Sequence, residues 1–397
     1  MLDLPPDPRY ECRMAHHHPQ QHRPRHLVVL CPGFFGFHQI GPLAYFKRVE
    51  KPLEHKTRAR GLSPHLFVAR PDPAGTTTAR AQDVLDQAYA EFAGGRFEKI
   101  HFYGHSMGAI DVRLALDPHQ DLGGGRDRKA QNARKRAVLR AALGARISIA
   151  APHWGTPFAV PFLLIGMGAL ERRLPFTASL ILTAVRKGIA SDELFGIFLS
   201  ELGLPVEEVE GWMTQIRLLG LSIRDVQKVL EFVLSVVVDR RAIGDLTPLA
   251  CSRRNARQKD LGADTPHCHS ILTHAPRPDP AVLARSTGDI VTSSTYLVYS
   301  ALWAITAWFP SPRRFADLPR GTLERLGVPW ACRPDVRDND GIVPTLSQPW
   351  GRVEALVTAD HEDVIGHLDW VSSGAGFNEH NLHKMLDVVA DCMERAS

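Results

Sequence analysis

The stretch KIHFYGHSMGAIDV, Lys99 to Val112, sets Ser106 between Gly104 and Gly108, directly after an apolar run and directly before a helix-like one. In a G-x-S-x-G turn the chain passes from strand to helix so sharply that the serine backbone is strained, and small neighbours are needed where the two elements approach. A serine in that place is either a helix N-cap or a nucleophile. The buried strand before it and the helix after it are the context a nucleophile requires.

Working outward, HLVVLCPGFFGF (26–37) is a continuous apolar run that breaks at Pro-Gly, as a buried parallel strand does when it ends in a tight loop. HLFVARPDP (65–73) repeats strand and breaker. TTTARAQDVLDQAYAEFAGG (76–95) then reads as a helix with a threonine cap, apolar residues at helical spacing and a glycine stop. ARISIAAPHWGTP (145–157) is a further strand ending in a polar loop. Strand, helix, strand, helix is the grammar of a mostly parallel central sheet flanked by helices, an α/β fold.

From Val160 to about Gly244 the character changes to a block of helical segments, apolar on more than one side. We therefore expect one domain with an insertion: a disordered arm over 1–25, a first core part over 26–159, a helical lid-like insertion over 160–244, and a second core part over 245–397. The insertion is either extra core packing or a lid whose apolar face covers a greasy pocket. The basic segment Arg126–Arg140 reads as a solvated helix face, with anionic headgroups as the other reading.

A formal charge of +4 over 397 residues is too weak to imply a nucleic-acid partner. The six cysteines are scattered without a paired framework, which fits a reducing compartment. His267, Cys268 and His269 resemble metal spacing, but successive residues of a strand face opposite ways, which turns Cys268 from the two histidines, so we expect no metal there. The arm over 1–25 lacks the apolar core of a signal peptide, and the longest apolar run, 296–309, is shorter than the roughly 20 residues that span a bilayer. These features predict a cytoplasmic protein with no transmembrane helix, able to associate peripherally with a membrane.

A serine hydroxyl needs a base to take its proton, and the base needs a carboxylate to orient it. In a sheet of this type the acid and base follow the serine. RDNDGIVP offers Asp338 and Asp340, and the strand RVEALVTA is followed by His361 and His367. Parallel topology brings these loops to the edge that carries Ser106. The reading favours Asp340 as acid and His367 as base, with Asp338 and His361 as competitors. His105 and His153 are expected to brace the site. Oxyanion donors are expected from the Met107 N–H, after the nucleophile, and from the Phe34 N–H in the glycine-bearing loop CPGFFGF.

Taken together, VVLCPGFFGF, FYGHSMGA, AAPHWGTP, GDLTPLA, DNDGIVP and GHLDWV occur in the order in which the bacterial triacylglycerol lipases of the true-lipase families carry such segments, spanning residues 26 to 371. The chain resembles that family, which has the α/β-hydrolase fold. The resemblance implies Ser106, Asp340 and His367 as nucleophile, acid and base, with Phe34 and Met107 at the oxyanion hole. It further implies a structural calcium at Asp369. Pro32-Gly33 stands where the family usually has His-Gly. The expected activity is a serine carboxylester hydrolysis of lipid or acyl esters, with a lipid interface as partner and no required cofactor. A thioesterase, acyltransferase or amidase would use the same triad, and a hydrolase-like lipid-binding protein would use none of it.

Overall fold

In the computed structural model the described residues are 25–34, 39–40, 43–73, 75–159, 241–257, 267–279, 296, 299–300, 302–307, 334–367 and 373–397. The arm expected over 1–25 lies outside them except for Arg25, and the insertion expected over 160–244 lies outside them except for its last four residues.

Six strands form one sheet: β1 (Arg25–Cys31), β2 (Ser63–Val68), β3 (Lys99–His105), β4 (Leu143–Ile149), β5 (Cys268–His274) and β6 (Arg352–Thr358). Their order is β2-β1-β3-β4-β5-β6, and every pairing is parallel. All six carboxyl ends therefore lie on one edge. The apolar run of β1 is explained by burial on both faces. Val28 and Leu30 enter one core with Tyr103, Ile147 and Ile271, while Leu27, Val29 and Cys31 enter the other with Ile100 and Phe102.

The first core is covered by α1 (Lys47–Ala59) and the C-terminal helix α7 (Glu379–Arg395), through Val49, Leu53, Leu382, Leu386 and Val389. The opposite core is covered by α2 (Thr77–Gly94), α3 (Met107–Leu116) and α4 (Arg126–Ala141). Two short helices, α5 (Arg241–Gly244) and α6 (Pro248–Arg257), lead into β5. Strand order, parallel pairing and helices on both faces, with a tight turn between β3 and α3, constitute the α/β-hydrolase fold.

The basic character of α4 has a local cause. Arg136 donates to the carbonyls of Ala115 (2.8 Å) and Leu114 (3.3 Å), and Arg140 to that of Leu116 (3.1 Å), so the two cations satisfy the C-terminal carbonyls of α3. Lys135 and Arg128 meet Asp86, and Lys129 meets Asp121. Three of the seven cations on this helix thus meet carboxylates. No helix among the described residues is long and apolar enough to cross a membrane.

Below the opposite, amino edge, His26 and His101 are buried and stacked with ring centroids 5.1 Å apart. His101 Nδ1 accepts from the Ala145 N–H at 2.9 Å, so its proton is on Nε2, which donates to His26 Nδ1 at 2.8 Å. Burial, reinforced by His26 and Lys99, pushes the His101 pKa down to about 3, and burial also lowers that of His26. A histidine held neutral in the fold binds fewer protons than in the unfolded chain, so its contribution is complete above about pH 6.5 and is lost as pH falls towards the folded value. Stability measured by urea unfolding is expected to decline from pH 7 to pH 4. His101→Gln is expected to flatten that slope by about one proton, roughly 1.4 kcal/mol per pH unit. An unchanged slope in the variant would remove His101 from the acid response.

Candidate active site

Ser106 follows the last residue of β3 and precedes α3, with φ 52° and ψ −129°. The left-handed φ is costly for a residue with a side chain, of the order of 1–3 kcal/mol, and persists only where the surroundings enforce it. The neighbouring glycines show how. A Cβ on Gly104 would lie 2.5 Å from the Ala109 Cα, and one on Gly108 would lie 2.3 Å from the Cys31 carbonyl oxygen. Strand β3, helix α3 and the end of β1 thus approach too closely for any other residue. The serine is held by its own N–H, which donates to the Ile149 carbonyl at 2.9 Å. Its hydroxyl makes no capping bond to the first turn of α3. That answers the cap reading: the backbone of Ser106 starts the helix, and its side chain is left for other use.

The loop after β1 is held by a buried cation. Arg80, on α2, is fully buried and pairs with Asp111 of α3 at 2.8 Å. The same guanidinium donates to the carbonyls of Pro32 (2.7 Å) and Gly33 (3.2 Å). In a trans peptide the carbonyl and the following N–H point in opposite directions. Holding the Gly33 oxygen therefore turns the Phe34 N–H away from Arg80. Burial raises the Asp111 pKa to about 7, against the opposing pull of Arg80.

The loop that bears Asp340 lies beyond β5, where the Ala275 N–H donates to the Asn339 carbonyl at 2.9 Å. The Asp340 carboxylate is buried and accepts from the backbone N–H groups of Ile342 (3.0 Å) and Val343 (2.7 Å) at Oδ1. At Oδ2 it accepts from Thr273 Oγ1 (2.7 Å) and Gln348 Nε2 (3.3 Å). Asp338, the competitor, faces the exposed Arg277 instead, at 3.1 Å.

The remaining partner of Asp340 is His361, whose Nδ1 lies 2.9 Å from Oδ2. The backbone repeats the contact, with the His361 N–H donating to the Asp340 carbonyl at 3.0 Å. Burial opposes protonation of His361, but Asp340, with Glu362 and Asp360 behind it, outweighs burial and holds its pKa above the ordinary value. His367 Nδ1 lies 3.7 Å from Glu362 Oε2, and it is His361 that takes up Asp340. His361 stands three residues beyond the end of β6, where the Ala359 N–H donates to the His274 carbonyl and fixes the chain on the sheet edge. His367 stands six residues further, past the short helix Asp363–Ile365 and the left-handed Gly366.

His105 and His153 both occupy bracing positions. His105 is buried between Tyr45 and the His361 backbone. His153 Nδ1 faces Arg113 at 3.3 Å, and the Arg113 guanidinium lies 3.6 Å from the ring centre of Trp350 and also bonds Asn255. Helix α3, the loop after β4 and helix α6 are so tied together.

Asp369 lies outside the described residues. Two carboxylates that the sequence reading did not single out, Asp360 and Asp363, do come together. Asp360 Oδ1 accepts from the N–H groups of Glu362 and Asp363, both at 3.0 Å, and Asp363 Oδ2 accepts from the Asp360 N–H at 3.0 Å. Burial raises both pKa values, Asp363 to about 8 and Asp360 to about 6, with each carboxylate beside the other. Asp360 Oδ2 is buried, and Ser373 and Asp363 are the side-chain neighbours of this carboxylate. A pair of buried carboxylates is a donor set that suits a hard cation such as calcium.

Far from this edge, His269, Glu354 and Cys392 bring three donor atoms within 4.8 Å of one another. Glu354 there already meets His269 (2.8 Å), Arg395 (3.1 Å) and Arg352 (3.2 Å), and Arg395 also donates to Cys392 Sγ at 3.3 Å. The two guanidinium groups supply the positive charge, and the cluster fastens α7 to β5 and β6. Among the described residues Cys31, Cys251 and Cys392 are free and buried, and Cys268 is buried.

No protein-family model matches the sequence, and no curated protein matches it. Among solved structures, the chain is similar to EstA from Clostridium botulinum, at 18% identity over 93% of this chain and 87% of that one, with a TM-score of 0.48. It is also similar to the Staphylococcus hyicus lipase, at 15% identity over 95% and 96%, TM-score 0.47. Lipase 1 from Pelosinus fermentans is similar at 14% identity over 92% and 98%, TM-score 0.49.

The buried Arg80–Asp111 pair gives a direct test of the first loop. Arg80→Leu is expected to cost about 3–5 kcal/mol, because it leaves the Asp111 carboxylate buried without its cation. The double variant Arg80→Leu/Asp111→Leu is expected to recover a large part of that loss in chemical denaturation. A double variant as unstable as the single one would mean that the carbonyl contacts of Arg80, rather than its charge, dominate.

Proposed function

We propose that the protein is a serine carboxylester hydrolase acting on lipid or acyl esters, with Ser106 as nucleophile, His361 as general base and Asp340 as the carboxylate that orients it. One observation carries the reading: the Asp340–His361 pair sits on the sheet edge where a serine is held at φ 52° with its hydroxyl unused as a cap. His361, rather than His367, is assigned the base because it alone of the two faces Asp340.

Asp340 accepts at His361 Nδ1, so the neutral imidazole carries its proton there and presents a bare Nε2. His361 Nε2 takes the Ser106 proton as Oγ attacks the ester carbonyl. The oxyanion is received by the Met107 N–H at the start of α3 and by the Phe34 N–H. The imidazolium, stabilised by Asp340, returns its proton to the departing alcohol, leaving an acyl-serine. A water deprotonated by His361 then attacks the acyl carbon, and the proton goes back to Ser106 as the acid leaves.

A structural calcium, if the chain carries one, would be held by Asp360 and Asp363, which flank His361 and Glu362. It would supply positive charge in place of the protons that burial now favours, fixing the loop that bears the base. No chemical step passes through it.

Ser106→Ala is expected to abolish both p-nitrophenyl ester turnover and labelling by a fluorophosphonate probe while keeping the fold. His361→Ala is expected to lower kcat by about 10⁴-fold or more, the usual scale for a triad member. His367→Ala, by contrast, is expected to stay within about tenfold. The reverse ranking would return the base to His367, and turnover by Ser106→Ala would end the proposal.

Calcium is expected to raise the melting temperature of the chelator-treated protein, by linkage to the folded state. The Asp360→Asn/Asp363→Asn variant should show no such rise. An identical melting temperature with and without calcium in the parent protein would remove the ion.

A further inference from the structure

Tyr45, just before α1, lies in none of the motifs that mark the nucleophile, acid and base. It is buried, and its hydroxyl sits between two partners: the Gly33 N–H donates to Oη at 2.9 Å, and Oη lies 2.7 Å from His105 Nδ1. On the other side of the same ring, His105 Nε2 lies 2.9 Å from the His361 carbonyl oxygen. Each of these atoms can be assigned a role without ambiguity.

A carbonyl oxygen only accepts, so His105 Nε2 carries a proton. Burial holds the His105 pKa well below the ordinary value, with the nearby His361 adding to the effect, so the ring is neutral and Nδ1 is bare. Nδ1 then accepts from the Tyr45 O–H, whose own pKa burial keeps well above that of a free phenol. The Tyr45 oxygen is left to accept from Gly33. The bonds run one way, from Gly33 N–H through Tyr45 O–H and His105 Nε2–H to the His361 carbonyl.

We propose that Tyr45 and His105 are positioning residues that lock the loop of the oxyanion donor to the loop of the base across the nucleophile. The three points joined are the peptide next to Phe34, the residue next to Ser106, and His361 itself. Space around the chain is equally restricted: a Cβ on Gly33 would lie 3.0 Å from Tyr45 Oη and 2.7 Å from the Ser106 Cβ. Gly33 supplies the first donor of the chain.

The inference rests on the ester-hydrolase reading for its functional meaning, and the test separates the two. Tyr45→Phe removes one hydroxyl and keeps the ring. It is expected to lower kcat about 10- to 100-fold, the scale of a small misplacement of reacting groups, with KM for a short soluble p-nitrophenyl ester within about twofold. His105→Leu is expected to match it. His105→Gln, whose amide oxygen can accept from Tyr45 while its NH₂ donates to His361, is expected to restore most of what leucine loses.

Nitrogen-15 NMR of the His105 ring, assigned by its disappearance in His105→Gln, is expected to show the neutral Nε2–H form in the parent protein, with the Nδ1 resonance moved in Tyr45→Phe. A folded Tyr45→Phe with unchanged kcat, a His105→Gln as impaired as His105→Leu, or a His105 protonated at Nδ1 would each overturn the proposal. A parent protein that shows the expected ring signals but neither hydrolyses esters nor labels at Ser106 would instead overturn the functional reading.

Discussion

The left-handed backbone at Ser106 is the constraint on which the rest of this structure depends. It is unfavourable for an isolated serine and is maintained by elements that approach it from three sides. Gly104 lets α3 close onto β3, Gly108 lets α3 close onto the end of β1, and the Ser106 N–H is tied to the end of β4. Substitution of either glycine would press a Cβ against backbone atoms that have no room to move. The strain at the serine is thus spread over the packing of three strands and a helix. Its position at the carboxyl edge follows from the parallel sheet, not from any interaction of the hydroxyl.

The groups that surround this turn are joined to it through buried polar contacts rather than through apolar packing. Arg80 spans from α2 to Asp111 on α3 and to two carbonyls of the loop after β1. Asp340 uses both oxygens on five partners, two of them backbone N–H groups from its own loop. Such networks give a single arrangement when fully satisfied and are costly when broken. The loops of this edge are accordingly specified by hydrogen bonds, while the helices are specified by the two apolar cores.

The sequence was legible where burial leaves a pattern. The apolar run of β1 is buried on both faces, and its end at Pro-Gly is the start of the loop held by Arg80. Helix α2 begins where Thr76 suggested, its side chain accepting from the Ala79 N–H. The histidine partner of Asp340 was not legible, because DHEDVIGHLDW carries two histidines after one strand, and composition does not say which loop residue folds back. A physical signal was nonetheless present: a residue three positions past a strand end remains on the sheet edge, whereas one nine positions past it has a turn and a left-handed glycine in between. Tyr45 left no signal, since a lone aromatic before a helix reads as core, and its hydroxyl finds partners only through contacts distant in sequence. Asp360 and Asp363 were hidden in the same way, with meaning only once both are buried together.

Two histidine rings lie 4.7 Å apart at the centre of this site, and their surroundings drive them in opposite directions. His361 faces Asp340, with Glu362 and Asp360 nearby, and its affinity for a proton is raised despite burial. His105 faces a phenol and a carbonyl, with no carboxylate to offset burial, and its affinity is lowered. If both were basic, their mutual repulsion would prevent either from holding a proton readily at neutral pH. Keeping His105 neutral therefore serves the neighbouring ring: it leaves a hydrogen-bond donor under the His361 backbone without adding a charge beside the imidazole that Asp340 helps to protonate. The difference between the two rings follows from the carboxylates gathered about His361, with Asp340 bonded to one ring and not to the other.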